Sequence, residues 1–569
     1  MKHLSTYLAV MVLAPTVLEA QLPADLVVTD ARIYTVDNAR PMVSAFAVRG
    51  GKIVFTGSDA EARALAGPGT TVIDLHDATV IPGITDAHAH LLGLGTTLQR
   101  VNLAGSSSYE EVVARVAAYA RSVRPGQWIL GRGWDQNRWP VKEFPTHDAL
   151  TRAFPNNPVV LERIDGHALL ANARAILLAR VMPSTRDPNG GRIIRTAAGA
   201  PTGVFIDNAQ SLITRAIPSP SRAETRNAII AAIAESNRWG LTGVHDPGES
   251  AETISIFEEL ARAGNYNLRN YVMLSDPGEP GSAAAQRNPY IQRGPQSALY
   301  DGHLWIRAIK LYADGALGSR GAALLAPYSD EATNSGLLVS RPEHIRAWAD
   351  WALRHGFQVN VHAIGDRGNR IVLDAFESAL TTFPTADHRF RIEHAQVISP
   401  QDIPRFARLG VIPSMQATHQ TSDMPWAEAR LGPERIRGAY AWRSLLNTGV
   451  VIPNGTDFPV EEVNPLLTFH AAVTRQDPAN SPAGGWYPEQ KMTREEALQS
   501  MTIWPAYAGF QEAMLGSLTP GKYADFVVLD KDIMRVPDTE ILSARVISTW
   551  IGGKRVYEAT SAAHRLPVR

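Results

Sequence analysis

The chain has 569 residues, 45% apolar and 20% charged, with a net charge of -1. That is an ordinary globular composition, on a chain too long for one simple core. Near-neutrality gives no electrostatic reason to expect nucleic acid or an anionic membrane as a partner. With no cysteine present, disulfides, thiolate metal sites and a cysteine nucleophile are excluded, so any metal must be held by nitrogen and oxygen.

At the N-terminus, Lys2 precedes an uncharged, mostly apolar stretch from Leu4 to Leu18 that ends in "VLEAQ". It is too short to span a bilayer and predicts a secretory signal peptide over 1–20, cleaved after Ala20, hence a periplasmic or secreted protein. No later stretch reaches transmembrane length without charge, so no membrane contact is expected after signal removal. Residues 25 to 80 read as short strands, with a hairpin at Gly50-Gly51 in "FAVRGGKIVFTG". The far C-terminus echoes this in "YADFVVLD" and "VISTWIGGKRVYE", whose turn is Gly552-Gly553. Residues 21–81 and 511–569 are therefore expected to form one small β-sandwich domain built from both termini.

Between them, over 82–510, short apolar runs alternate with helical patterns such as "RAETRNAIIAAIAESNRWG" and "RPEHIRAWADWALRHG". Alternating β and α of this extent argues for α/β architecture with parallel strands. Six of the apolar runs finish in a polar, ligand-type residue, namely His245, Lys310 (with Asp314), His362, His394, Gln416 and Asp457. In a (β/α)8 barrel the C-terminal strand ends converge on one face. A doubly wound sheet would usually carry a glycine-rich phosphate loop, and none is present. A TIM-like barrel is the better reading. The surplus of chain between His90 and Lys310, within about 105–235, is expected to be an insertion over the barrel mouth, since a whole barrel needs only about 250 residues.

The first strand runs into "PGITDAHAHL", residues 82 to 91. Residues i and i+2 of a strand share a face, so His88 and His90 can aim at one ion, and neutral imidazoles suit zinc. With His362, His394 and Asp457 on later strands, there are enough nitrogen and oxygen ligands for one or two metals. Asp86 is expected to order this segment as a hydrogen-bond acceptor. Glu393, one residue before His394, is expected on the opposite face of its strand. His245 is left open between a ligand and a loop cap.

The stretches "PGITDAHAHL", "RGWDQNRWP", "DGHALLANARA", "GLTGVHDPG", "IKLYADGALGSRGAAL", "VNVHAIGDRGNRIVLDAFE", "RIEHAQ" and "NGTDFPVEEVNPL" together resemble the amidohydrolase superfamily. The resemblance is nearest to the YtcJ-like branch that includes N-substituted formamide deformylase. It implies that His88 and His90 hold the more buried metal and His362 and His394 a second. It places Lys310 where two-metal members carry a bridging carboxylated lysine, and it gives Asp457 a place on the first metal and a proton to shuttle. In single-metal members the ligands would be His88, His90, His362 and Asp457, with His394 polarising the substrate. The resemblance also puts "RGWDQNRWP" and "DGHALLANARA" near the site, with Trp134 as an apolar wall and His167 as a substrate contact. Arg320 and His419 are further candidates for substrate binding.

The function expected is a metal-dependent, most simply zinc-dependent, hydrolase that cleaves an amide C–N bond in a small molecule. A metal lowers the pKa of water toward 7 and polarises a carbonyl oxygen. A heterocycle deaminase and an esterase or lactonase are alternatives on the same site. A catalytically silent periplasmic binding protein is the alternative from another class. Oligomeric state is open, a homodimer included.

Overall fold

The β-branched runs at the two ends of the chain pair with each other in one sheet, apart from the strands of the middle. In the computed structural model, which describes residues 22–121 and 123–560, Phe526–Leu529 lies antiparallel to the end of Thr71–Pro82, with Phe526 opposite Pro82 and Leu529 opposite Thr79. The expected signal peptide, 1–20, falls outside the described residues. The full strand order is Lys554–Glu558, Val546–Ile551, Phe526–Leu529, Thr71–Pro82, Leu26–Tyr34, Ala45–Arg49, Lys52–Gly57, with Met42–Val43 also paired to Leu26–Tyr34. Where a sandwich of two sheets is expected from sequence, hydrogen bonds run through all eight strands as one continuous sheet. Its core holds Phe46, Phe526 and Trp550, the last two rings stacked 5.2 Å apart. The Gly552-Gly553 turn has φ of 56° and 69°, the left-handed pair that a two-residue hairpin demands.

The middle of the chain contributes seven parallel strands: β1 (Ile84–Asp86), β2 (Leu241–Glu249), β3 (Arg269–Ser275), β4 (Leu304–Tyr312), β5 (Gln358–Ala363), β6 (Arg391–His394) and β7 (Ile412–Ser414). They neighbour one another in chain order, and the short Gln296–Ala298 strand adds to β4. Strands covered on both faces read as near-continuous apolar runs, as in β4, "LWIRAIKLY". The segment 453–458 then joins the two ends of this sheet. Met415 just past β7 donates to Pro453 O (3.0 Å) and accepts from Gly455 (3.0 Å), while Asp457 donates to His88 O (2.7 Å) and His90 to Phe458 O (2.8 Å). The strands thus curl into a ring that closes on the backbone of the His88–His90 segment. Helices pack outside it, among them α1 (Arg222–Arg238), which starts at a Ser221/Glu224 capping box, and α2 (Pro342–His355), which stops at left-handed Gly356.

Between β1 and β2 the chain builds a separate six-stranded sheet. Its order is Gly191–Arg195, Pro201–Asp207, Ala168–Ala171, Val159–Arg163, Ile129–Trp134, Val101–Asn102. Both of its faces are covered. Val159 and Leu161 enter one apolar cluster and Val160 the other, as period-two alternation requires. Among the described residues no helix is long and apolar enough to cross a membrane.

Candidate metal centre

The first two histidines are held in place by carboxylates of different strands. Buried Asp86, at the end of β1, accepts from the Thr456 N–H (3.0 Å), the Thr456 hydroxyl (2.7 Å) and the His88 N–H (3.1 Å). It therefore ties the first strand to the closing segment, as expected of an ordering acceptor. Burial lifts its carboxyl to about 7, against those hydrogen bonds. His88 Nδ1 lies 2.5 Å from Glu393 Oε2, which leaves Nε2 as the ring's free nitrogen. Burial, then the nearby Lys310, brings the His88 imidazole down to about 4, so it is neutral at pH 7, the state a metal ligand needs.

Glu393 departs from the expected geometry. Strict alternation would send it away from His394, yet Glu393 reaches His88 while the His394 ring stands 4.9 Å from the His88 ring. The reason is His394's own backbone, at φ 73°. A left-handed residue breaks the period of the strand, so both side chains enter the barrel. Burial would raise the Glu393 carboxyl, but Arg391, His88 and Lys310 together outweigh it and hold the group well below the carboxylate range. Asp457 is also left-handed, at φ 59°. Such residues cost about 1–3 kcal/mol each and persist where surrounding structure enforces them.

Around Asp457 the donor atoms converge. Its Oδ1 lies 3.2 Å from His90 Nε2 and 3.7 Å from His88 Nε2, and its Oδ2 lies 3.4 Å from His419 Nε2. Ligand atoms of His88, His394 and Asp457 all fall within 4.8 Å of one another. The His362 and His394 rings are 4.5 Å apart, and His394 Nδ1 is hydrogen-bonded to Gln416 Oε1 at 2.8 Å. Burial pushes both imidazoles well below their ordinary pKa. Burial alone would raise Asp457, but the His419 and His90 rings beside it keep it well below the carboxylate range. Among the described residues, Asp457 Oδ1 and His362 Nε2 are buried without any hydrogen-bond partner. Buried acceptors are rarely left so, and a carboxylate oxygen facing two imidazole nitrogens is a donor set for a cation, so these residues fit a divalent metal.

Lys310 lies at the same place. Its Nζ is 3.4 Å from His88 Nε2 and 5.0 Å from the Tyr312 ring centre, and among the described residues no carboxylate pairs with it. Burial brings its amine down to about 8. Asp314, the alternative partner for that lysine, instead accepts from the N–H groups of Ala323 (2.8 Å), Ile364 (2.9 Å) and Gly365 (2.8 Å).

The cluster opens into a cavity of about 1390 Å³ whose wall includes His167 from the insertion and His419 from the short helix Ala417–Asp423 after β7. His419 bridges Asp457 and Glu461, 3.1 Å from Glu461 Oε1; burial opposes its charge, yet these two carboxylates raise it to about 10. His167 Nδ1 lies 2.8 Å from Asp207 Oδ1, which raises its pKa against the effect of burial. Two expected contacts fall elsewhere. Trp134 is no wall of the cavity: it is fully buried in the insertion's own core against Trp139 and Phe144, its Nε1–H donating to Leu161 O at 2.8 Å. Arg320 faces away from the cavity, 3.0 Å from Asp330 and 3.5 Å from Glu331. His245 is closed off in the barrel interior, with Nδ1 2.8 Å from Arg391 and its ring on Tyr271. Sequence reading missed Asp207, Glu461 and Asp423, all on the cavity wall. Asp207 ends a strand, "PTGVFID", the same signal that picks out His245 and His394.

The sequence pattern of the amidohydrolase family matches residues 71–557. Among characterised sequences, the chain is 35% identical to protein LONG AFTER FAR-RED 3 of Arabidopsis thaliana over 95% of this chain and 92% of that protein. It is 32% identical to the putative amidohydrolase YtcJ of Bacillus subtilis (92% and 98%) and 28% identical to N-substituted formamide deformylase of Arthrobacter pascens (95% and 99%). A crystal structure of an uncharacterized metal-dependent hydrolase from Pyrococcus horikoshii superposes with a TM-score of 0.73 at 28% identity, covering 90% of this chain and 99% of that one. The ring of parallel strands, the histidine and aspartate cluster at its mouth and a match that spans nearly the whole chain agree: the chain belongs to the amidohydrolase family.

Proposed function

We propose that this protein is a metal-dependent hydrolase that cleaves the C–N bond of an amide in a small molecule, with zinc as the metal. The observation that carries the reading is the buried Asp457 Oδ1, unpartnered and within 3.7 Å of two histidine nitrogens. His88, His90, His362, His394 and Asp457 would hold metal, and Lys310, as its carbamate, would offer a further oxygen ligand. The metal, when bound, supplies a more acidic water and a polarised acyl oxygen.

The chain's own residues do the rest. Hydrolysis adds oxygen to the acyl carbon and a proton to the departing nitrogen. Asp457 is the group placed to carry that proton, because its Oδ2 faces His419 and its Oδ1 opens toward the cluster. Glu393 fixes His88 through Nδ1, and Gln416 fixes His394 in the same way. An amide, rather than an ester or a heterocycle, is favoured by the 28% identity to a protein named N-substituted formamide deformylase over 95% of this chain. Residues 1–20 are proposed to direct export, on the strength of Lys2 and the apolar run behind it.

The test combines metal analysis with a substrate panel. Protein purified without chelator and with bicarbonate should carry two metal equivalents, falling to one or fewer in Lys310→Ala, and should hydrolyse N-substituted formamides faster than matched esters. Absence of bound metal, together with no activity on adding zinc, manganese or iron, would overturn it.

A further inference from the structure

The barrel does not enclose its cavity alone. The insertion reaches the metal cluster at one point, where Ala168–Ala171 and Pro201–Asp207 pair antiparallel, with Ala168 opposite Ile206. Just beyond that register the Asp207 N–H donates to His167 O (2.9 Å), so the two residues face each other at the strand ends. His167 Nδ1 lies 2.8 Å from Asp207 Oδ1, and the His167 N–H donates to Asp165 Oδ1 at 3.0 Å. Asp207 thus holds the ring and Asp165 the backbone N–H of the same residue. The ring stands 5.6 Å from the His362 ring and lines the cavity.

Asp207 is itself held under strain. Its φ is 48°, in the left-handed region that non-glycine residues adopt uncommonly. Its second oxygen, Oδ2, is buried and has no hydrogen-bond partner among the described residues. The barrel makes room for it. A Cβ at Gly321 would lie 2.9 Å from Oδ2, and one at Gly315 would lie 3.3 Å from Oδ1. Two glycines of the loop after β4 thus form a niche for a carboxylate that belongs to the insertion. With Nδ1 committed to Asp207, Nε2 is the only ring atom left to form a hydrogen bond, and among the described residues it has no partner.

We propose that the insertion completes the active site, with His167 contacting the amide substrate through Nε2 and Asp207 acting as its positioning residue. The inference rests on the amide-hydrolase reading above. It makes the substrate class narrower: a molecule with a second polar group at or next to the scissile amide, within reach of both the metal cluster and the insertion. A site built to hydrogen-bond a substrate group discriminates strongly against analogues that lack it.

The experiment uses the full-length, metal-loaded protein and N-formylglycinamide as probe, whose second amide lies next to the scissile one. His167→Phe should lower kcat/KM by about 10²-fold, the scale of losing one directed hydrogen bond at a reacting centre, with metal per chain and Tm unchanged. His167→Gln, whose side-chain amide reaches toward the Nε2 position, should recover part of the loss. Asp207→Ala should lower kcat/KM, and the double variant should be no worse than His167→Phe, because residues that act as a unit are non-additive. Gly321→Ala, which crowds Asp207 without touching the cavity ligands, should produce a smaller loss of about tenfold, the rate equivalent of ~1.4 kcal/mol. Losses that simply add, metal lost with His167, or His167→Phe within about threefold of wild type would overturn the pair. If wild type hydrolyses amides and these variants match it, only the pair falls. If wild type hydrolyses no amide, the reading it rests on falls with it.

Discussion

Asp457 has histidine nitrogens on both of its oxygens, and the cost of disturbing it can be stated. Asp457→Asn keeps the shape and removes the proton acceptor, so kcat should fall by about 10²–10⁴-fold with the circular dichroism spectrum unchanged. Lys310 gives a pH dependence. Its amine sits at about 8 folded against 10.5 for an ordinary lysine, because burial disfavours its charge. Carboxylation consumes the neutral amine, so the rate at which metal-stripped protein recovers activity with bicarbonate should rise from pH 6 to pH 8. Stability has the same sign. Between pH 8 and 10.5 the unfolded chain still holds the proton that the folded chain has shed, so metal-free protein should gain stability as pH rises through that window. A Tm that falls there in wild type relative to Lys310→Met would contradict this assignment.

At the scale of the element, the insertion is a folding unit with a core of its own, and Trp134 belongs to that core. Trp134→Ala should cost about 3–5 kcal/mol, seen as early unfolding or proteolysis within 101–207, while surviving protein keeps its metal. Arg320→Ala should change activity by less than about threefold and stability by at most ~1 kcal/mol, as a partly exposed ion pair does. These two residues show what the sequence hides. His88, His90 and Asp457 stand out in the sequence by spacing and by the end of an apolar run, yet β1 stops at Asp86, so the strand period expected to align the two histidines ends before them. Trp134 was not legible, because a sheet covered on both faces has no solvent side to read from. Arg320 and Asp207 depend on partners brought together only by the fold, Asp330 in one case and a two-glycine niche in the other. Glu393 was misplaced for a reason invisible in the letters "IEH", the backbone turn at His394.

For the whole molecule, the metal cluster and the ring closure share residues. The closing segment 453–458 hydrogen-bonds to the same His88–His90 backbone that carries two candidate ligands. Metal bound there pulls on folded protein only, so stripping it with a chelator should lower Tm, and the drop should be restored as free metal rises past its dissociation constant. An unchanged Tm in differential scanning calorimetry would mean that the ring closes without help from the ligands.

The shared terminal sheet has a consequence in time. Tyr34 and Arg32 bond to Asp532, 498 and 500 residues further along. At about 5–20 residues per second of synthesis, the first strands wait ~25–100 s for the partners that cover them. Throughout that interval the edge of Thr71–Pro82, later taken by Phe526–Leu529, is an open template for any passing strand. A chain truncated before residue 526 should leave that edge open and is expected to aggregate more readily than the full chain.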